Sequence, residues 1–235
     1  MTYHGLESAG VQFSRAAIST DGIHFEGLPE NIGPSYIRTF QHQGWYYAMA
    51  MPGVLLRSRD GVTGWERGPT IFAITQRHVA LLKRKNTLYV FWSQVGEAPE
   101  SILVSTVDIS GDWQGWRPSP AKVVLRPEFV WEGANSPIEP SIRSTAYGHL
   151  NQLRDPAIFE EKGRIYLVYA VAGESGLALA EVKPGMKILD VGCGRGEILR
   201  HCAQLGADAI GIDYAAVAVK MSQNVIQGVD GVVPG

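Results

Sequence analysis

A chain of 235 residues with 45% hydrophobic residues and a formal net charge of −2 is long enough for one large or two small globular domains. That charge balance argues against nucleic acid as the main partner, because no basic excess is available to neutralise phosphates. No stretch reaches the ~20 apolar residues of a membrane span or carries a signal peptide's basic and apolar regions, so the expectation is a soluble cytoplasmic protein without a membrane partner.

The first 182 residues are strand-like, rich in aromatic residues and glycine, and repetitive. Three segments align: Arg38 to Tyr47, Ala80 to Tyr89 and Ala157 to Tyr166. Each reads as a strand, a polar turn with Gly or Asn, and a second strand with aromatic residues, which is a β-hairpin. A second signature recurs beside them, in Ser19-Thr20-Asp21-Gly22 leading to Phe25, in Ser58-Arg59-Asp60-Gly61 leading to Trp65, and more loosely from Ser105 through Asp108 to Trp113 and Trp116. An Asp-Gly turn between a strand and an aromatic anchor closes an outer hairpin. Radial repetition of such sheets predicts a β-propeller with about four blades, the first incomplete.

Carboxylates set against this scaffold are the candidates for chemistry. Asp155 follows Arg154 and precedes Pro156, and it admits two readings, a turn residue biased to extended backbone or an acid facing the funnel. Glu132 sits between Trp131 and Gly133. Glu97, Glu100 and Glu174 are read as solvated loop residues, since glutamate is usually exposed. Arg77, His78 and Arg154 are candidate substrate-binding groups for hydroxyls or a carboxylate. The aromatic set Trp45, Tyr47, Tyr89, Trp92, Tyr166 and Tyr169 is read as blade packing, although such rings also stack sugars.

The sequence changes character at Lys183-Pro184-Gly185, a boundary signal that divides the chain into residues 1–182 and 183–235. Lys187 to Val191 reads as a buried strand running into a turn with Gly192, Gly194 and Gly196, then a helix from Glu197 to Leu205, a second strand Ala209 to Ile212, and Asp213. Three glycines let the backbone turn sharply and approach a ligand. The sixth position is Glu197, which would repel a pyrophosphate, so a dinucleotide is disfavoured. Cys193 and Cys202 suggest neither a disulfide framework nor a metal site.

Two resemblances follow. The run Asp190-Val191-Gly192-Cys193-Gly194-Arg195-Gly196, continued through Asp213, resembles the first motif of class I S-adenosylmethionine-dependent methyltransferases. That resemblance implies a Rossmann-like α/β unit binding S-adenosyl-L-methionine, with Gly192, Gly194 and Gly196 beside the methionine and ribose, Asp190 at the amino-acid end and Asp213 on the ribose. Only the start of such a domain is present, so the unit is expected to be incomplete, with its acceptor site absent and a second chain as one way to complete the sheet. Leu153-Arg154-Asp155-Pro156 and Tyr3-His4-Gly5 resemble the five-bladed propellers of arabinanase- and fructan-hydrolase-type glycosidases. This second resemblance implies a carbohydrate or other small-molecule substrate and paired acids, for which Asp155 and Glu132 are the candidates. The fold class expected is therefore mainly β, a partial propeller followed by a short α/β unit. The primary reading is a methyltransferase-type chain fused to that propeller. A carbohydrate-binding or hydrolysing propeller with a passenger, and a non-catalytic fused fragment, are the alternatives.

Overall fold

The computed structural model describes residues 1–182, 187–191 and 208–212. It divides into two compact units, one of Met1–Phe159 with Tyr166–Ala180 and one of Glu160–Ile165 with Glu181–Gly235. The described residues are mainly β.

The first unit is a propeller-like array of four antiparallel sheets. The first holds β1 (Thr2–Ser8), β2 (Val11–Ile18), β3 (Glu26–Gly27) and β4 (Gly33–Pro34), with β2 paired to the other three. The second runs β5 (Arg38–His42), β6 (Trp45–Ala50), β7 (Val54–Ser58), β8 (Glu66–Thr70). The third runs β9 (Gln76–Arg84), β10 (Thr87–Gln94), β11 (Ile102–Asp108), β12 (Lys122–Leu125). The fourth is β13 (Arg154–Glu161), β14 (Arg164–Val171), β15 (Gly176–Val182).

Local chemistry explains the repeat. The β5–β6 hairpin turns at Gln43 and Gly44, both with positive φ, and the β13–β14 hairpin at Lys162 and Gly163, also both positive. These are the backbone angles that match the twist of flanking strands. Tyr47, Tyr89 and Tyr166 each lie two residues beyond the first residue after the turn, at one repeat position. The Asp-Gly turns join β2 to β3 and β7 to β8 with nearly identical bonding. Asp21 Oδ1 accepts from the backbone of Ile23 and His24 at 2.9 and 2.8 Å, and Asp60 Oδ1 accepts from Val62 and Thr63 at 2.8 Å each. Those bonds hold both carboxyls well below the usual carboxylate range, with the side chains of His24 and Thr63 the leading causes.

The core forms where neighbouring sheets pack face to face. Residues of a strand alternate between its two faces, so Tyr47 and Met49 of β6 and Leu55 of β7 join Val79, Leu88, Val90, Trp92 and Leu103 of the third sheet and Trp113 of the 3-10 turn between β11 and β12. Ala48 and Ala50 of β6 with Val54 and Leu56 of β7 join Ala16, Ile32 and Ile37 on the other side. That two-sided burial is why the β6 sequence Trp-Tyr-Tyr-Ala-Met-Ala is apolar without alternation.

In the second unit, β16 (Lys187–Val191) and β17 (Asp208–Ile212) form a parallel two-stranded sheet, with Lys187 opposite Asp208 and Val191 opposite Ile212. Gly192, Gly194, Gly196 and Asp213 lie outside the described residues, as do Cys193 and Cys202. Among the described residues, no helix is long and apolar enough to cross a membrane.

Candidate functional site

The candidate site gathers at the start of the first strand of three successive sheets, within β9 and β13 and just before β5. Counting seven back from the first turn residue of each hairpin, at Gln43, Lys85 and Lys162, arrives at Tyr36, His78 and Asp155. The radial arrangement brings these equivalent positions into a contiguous chain of contacts. The Tyr36 and His78 rings lie 3.8 Å apart between centroids, His78 Nδ1 pairs with Asp155 Oδ1, and His4 of β1 packs on the other neighbour, Tyr36, at 4.2 Å. A carboxylate only accepts, so the proton of the His78–Asp155 bond sits on His78 Nδ1.

Backbone strain marks the same place. Tyr36 (φ 62°) and Asp155 (φ 51°) both sit in the left-handed region that non-glycine residues rarely occupy. Such conformations persist where the surroundings over-determine them, and they cluster at ligand sites.

The electrostatics follow from partial burial. Burial alone would raise the Asp155 carboxyl, but the bond and charge of His78, with the charges of Arg77 and Arg154, outweigh it and hold the group below its ordinary value. Burial, and then the negative charges of Asp155 and Glu174, push the Tyr36 phenol up. His4 is lowered by burial and by the neighbouring charges of His78 and Arg38. Arg38 is lowered by burial, with Asp155 opposing. The cluster therefore presents one anionic oxygen pair amid imidazole, guanidinium and phenol donors, a set suited to a polyhydroxylated ligand.

Behind this surface stands a buried ionic network. The Arg154 guanidinium donates to Glu100 Oε2 at 2.9 Å, to Glu174 Oε1 at 3.0 Å, to the Ser144 carbonyl at 3.1 Å, and to Gln152. Arg77 reaches Glu100 Oε1 at 3.6 Å and donates to the Ile142 carbonyl at 2.9 Å. The long connection from 126 to 153 supplies those carbonyls, which explains why a segment with little regular structure is held in place.

The sequence-derived candidates separate accordingly. Asp155, His78, Arg77 and Arg154 come together. Asp155 keeps 32% of its side-chain exposure, so it faces both the network and solvent. Glu132 shares no partner with them. It is buried, and it accepts from the backbone of Glu128 at 2.8 Å and Phe129 at 3.1 Å and from the Tyr169 hydroxyl at 3.0 Å. It organises the connection after β12. Gly133 follows with φ 92° where an added Cβ would overlap the Leu150 carbonyl oxygen.

The solvated-loop expectation fails for Glu100, which is fully buried because two arginines and Ser93 satisfy its carboxylate. Glu174 keeps some exposure, 29% for its side chain, while bonded to Arg154. Glu97 is half-buried, and burial raises its carboxyl. Blade packing accounts for much of the aromatic set: Tyr47, Trp92 and Tyr169 are buried, and Trp45 is covered by the guanidiniums of Arg59 at 3.4 Å and Arg57 at 4.1 Å. Sequence reasoning missed Tyr36, Arg38 and Glu100 as members of the site, although the constant distance to each hairpin turn would have found Tyr36. Among the described residues no group of His, Cys, Asp and Glu is arranged to hold a metal ion.

The fold is propeller-like, similar to that of solved glycoside hydrolase structures. A solved structure described as a glycoside hydrolase matches with a TM-score of 0.55 at 16% identity, covering 78% of this chain and 62% of that one, a likeness of fold. The particular chain joins that fold to a second likeness, since residues 168–232 match the family described as Methyltransferase domain. An uncharacterized protein of Acanthamoeba polyphaga mimivirus is 41% identical over 186 residues, 72% of this chain and 52% of the relative. The ubiquinone biosynthesis O-methyltransferase of Roseobacter denitrificans is 44% identical over 52 residues, 21% of each chain. The chain thus spans about half the length of the viral relative it matches.

Proposed function

We propose that residues 1–182 form a carbohydrate-binding propeller of glycosidase type, with the ligand at the Tyr36–His78–Asp155 cluster. The observation that carries this reading is the convergence of three equivalent repeat positions, two of them strained, on one partly exposed carboxylate. Asp155, its carboxyl held ionised, is the acceptor for sugar hydroxyls or the nucleophile or base of a hydrolytic step, and Arg38, Arg77 and His78 are the donors around it. Hydrolysis needs a second carboxylate. Glu174 is the better partner for Asp155 than Glu132, because Glu174 is tied to the same arginine and its charge acts on the same tyrosine. Calorimetry with arabino- and fructo-oligosaccharides tests the reading. Binding by the parent chain that Asp155→Asn weakens at least tenfold supports it, and no binding of either series overturns it.

The match of residues 168–232 favours a second function in the same chain, binding of S-adenosyl-L-methionine by residues 183–235 as a methyltransferase-type unit. Asp190, Gly192, Gly194, Gly196 and Asp213 are the residues that would hold the cofactor, and the bound group would supply an activated methyl. Asp213→Ala should weaken binding by about 1.5–3 kcal/mol, the scale of hydrogen bonds to a charged group. Equal affinity of parent and variant chains in calorimetry would remove the basis for this second reading.

A further inference from the structure

Glu100 makes no contact with solvent, yet it touches the chain on both sides of the site. Its backbone pairs with Gln152 as an isolated parallel bridge, and its carbonyl accepts from the Leu153 amide at 2.9 Å. Its carboxylate accepts from Arg154 at 2.9 Å and from the Ser93 hydroxyl at 2.7 Å, with Arg77 at 3.6 Å. Three consecutive residues leading to Asp155 are therefore clamped by one glutamate. The two arginines occupy one repeat position, each immediately before a site residue, Arg77 before His78 and Arg154 before Asp155. With Nε on Glu100, one terminal nitrogen on Ser144 and Glu174 and the other on Gln152, the Arg154 fork has little freedom left.

Aspartate tolerates the left-handed region better than most side chains, yet φ 51° still costs energy relative to a negative φ, and the contacts on the residues just before Asp155 hold it there. We propose that Glu100 is a positioning residue that, through Arg154 and Arg77, sets the geometry of the His78–Asp155 pair across two blades. The inference rests on the reading of that pair as the ligand site, but its geometry is measurable without a ligand. Removing the carboxylate would leave two buried guanidiniums short of a partner, and their rearrangement would carry Asp155 away from His78.

The test uses the full chain labelled with ¹⁵N-histidine, the His78 signal being assigned by His78→Gln. Long-range couplings at neutral pH show which ring nitrogen bears the proton. The parent should show the Nδ1–H pattern at His78, Glu100→Gln should lose it, and Leu88→Ala should keep it while lowering the melting temperature, since Leu88 is a fully buried core residue. Retention of the pattern in folded Glu100→Gln overturns the proposal, as does its loss in Leu88→Ala. Should Glu100→Gln fail to fold, Glu100→Asp and Ser93→Ala answer the question, with retention in both counting against it. Oligosaccharide titration of the same samples separates the two ideas: a parent chain that binds no sugar removes the carbohydrate reading and leaves the histidine result standing.

Discussion

Replacing Glu132 by alanine is expected to destabilise the propeller unit by about 3–5 kcal/mol. The carboxylate is 3% exposed and accepts three bonds. Its loss leaves the Tyr169 hydroxyl, on a ring that is 4% exposed, without a partner, at about 1–3 kcal/mol. The amides of Glu128 and Phe129 are partly buried and can recruit water, so each adds about 1 kcal/mol. A second effect has its own sign. Burial, and then the bond and charge of Glu132, push the Tyr169 phenol up to about 12. A raised phenol stabilises the fold below its ordinary value near 10 and loses that contribution as pH climbs towards 12. The variant should therefore lose less stability over that alkaline window than the parent, because only burial and the charge of Glu128 then raise the phenol. All six tryptophans lie within residues 1–182, so tryptophan emission against urea reads this unit alone. A Glu132→Ala midpoint equivalent to less than about 1 kcal/mol, with an unchanged phenol titration in ultraviolet absorbance, would refute the reasoning.

Asp155→Asn should lower stability at pH 6 and flatten the acid limb, because a carboxyl held below its ordinary value contributes above that value and loses the contribution as pH falls through its folded pKa; urea midpoints from pH 2 to 6 check this. Gly133→Ala should cost about 3 kcal/mol or more, combining left-handed strain with overlap against Leu150, and a neutral result in the same emission assay would contradict the packing. Asp60→Ala removes the acceptor of the Val62, Thr63 and Ser58 bonds and should lower the melting temperature, with Asp60→Asn losing less; equal melting of all three chains would show that the turn holds without its carboxylate.

The elements were legible in the sequence because they rest on short-range chemistry. A positive φ at Gln43–Gly44 or Lys162–Gly163, or an Asp60 carboxylate bonding amides two and three residues on, is decided within a few residues, and the spacing of these turns is printed in the chain. The parallel pairing of β16 with β17 likewise follows from two apolar strands separated by a stretch long enough to cross over. Arg154-Asp155 stood out in the sequence for the same reason, as a short motif.

Tertiary structure decided the rest. Tyr36, His78 and Asp155 are separated by 42 and 77 residues, and only radial packing of successive sheets makes them neighbours. In the sequence Glu100 reads as an ordinary loop glutamate and Glu132 as a candidate acid beside Asp155, and burial of either is unexpected, since solvation normally keeps such a charge at the surface. Local groups supply part of the partnership, Ser93 for Glu100 and the amides of Glu128 and Phe129 for Glu132, but what completes it is distant in the chain: two arginines for Glu100 and the Tyr169 hydroxyl for Glu132. A carboxylate's location is set by whether partners can replace its water, and those partners are assembled by the fold rather than by the residues beside it.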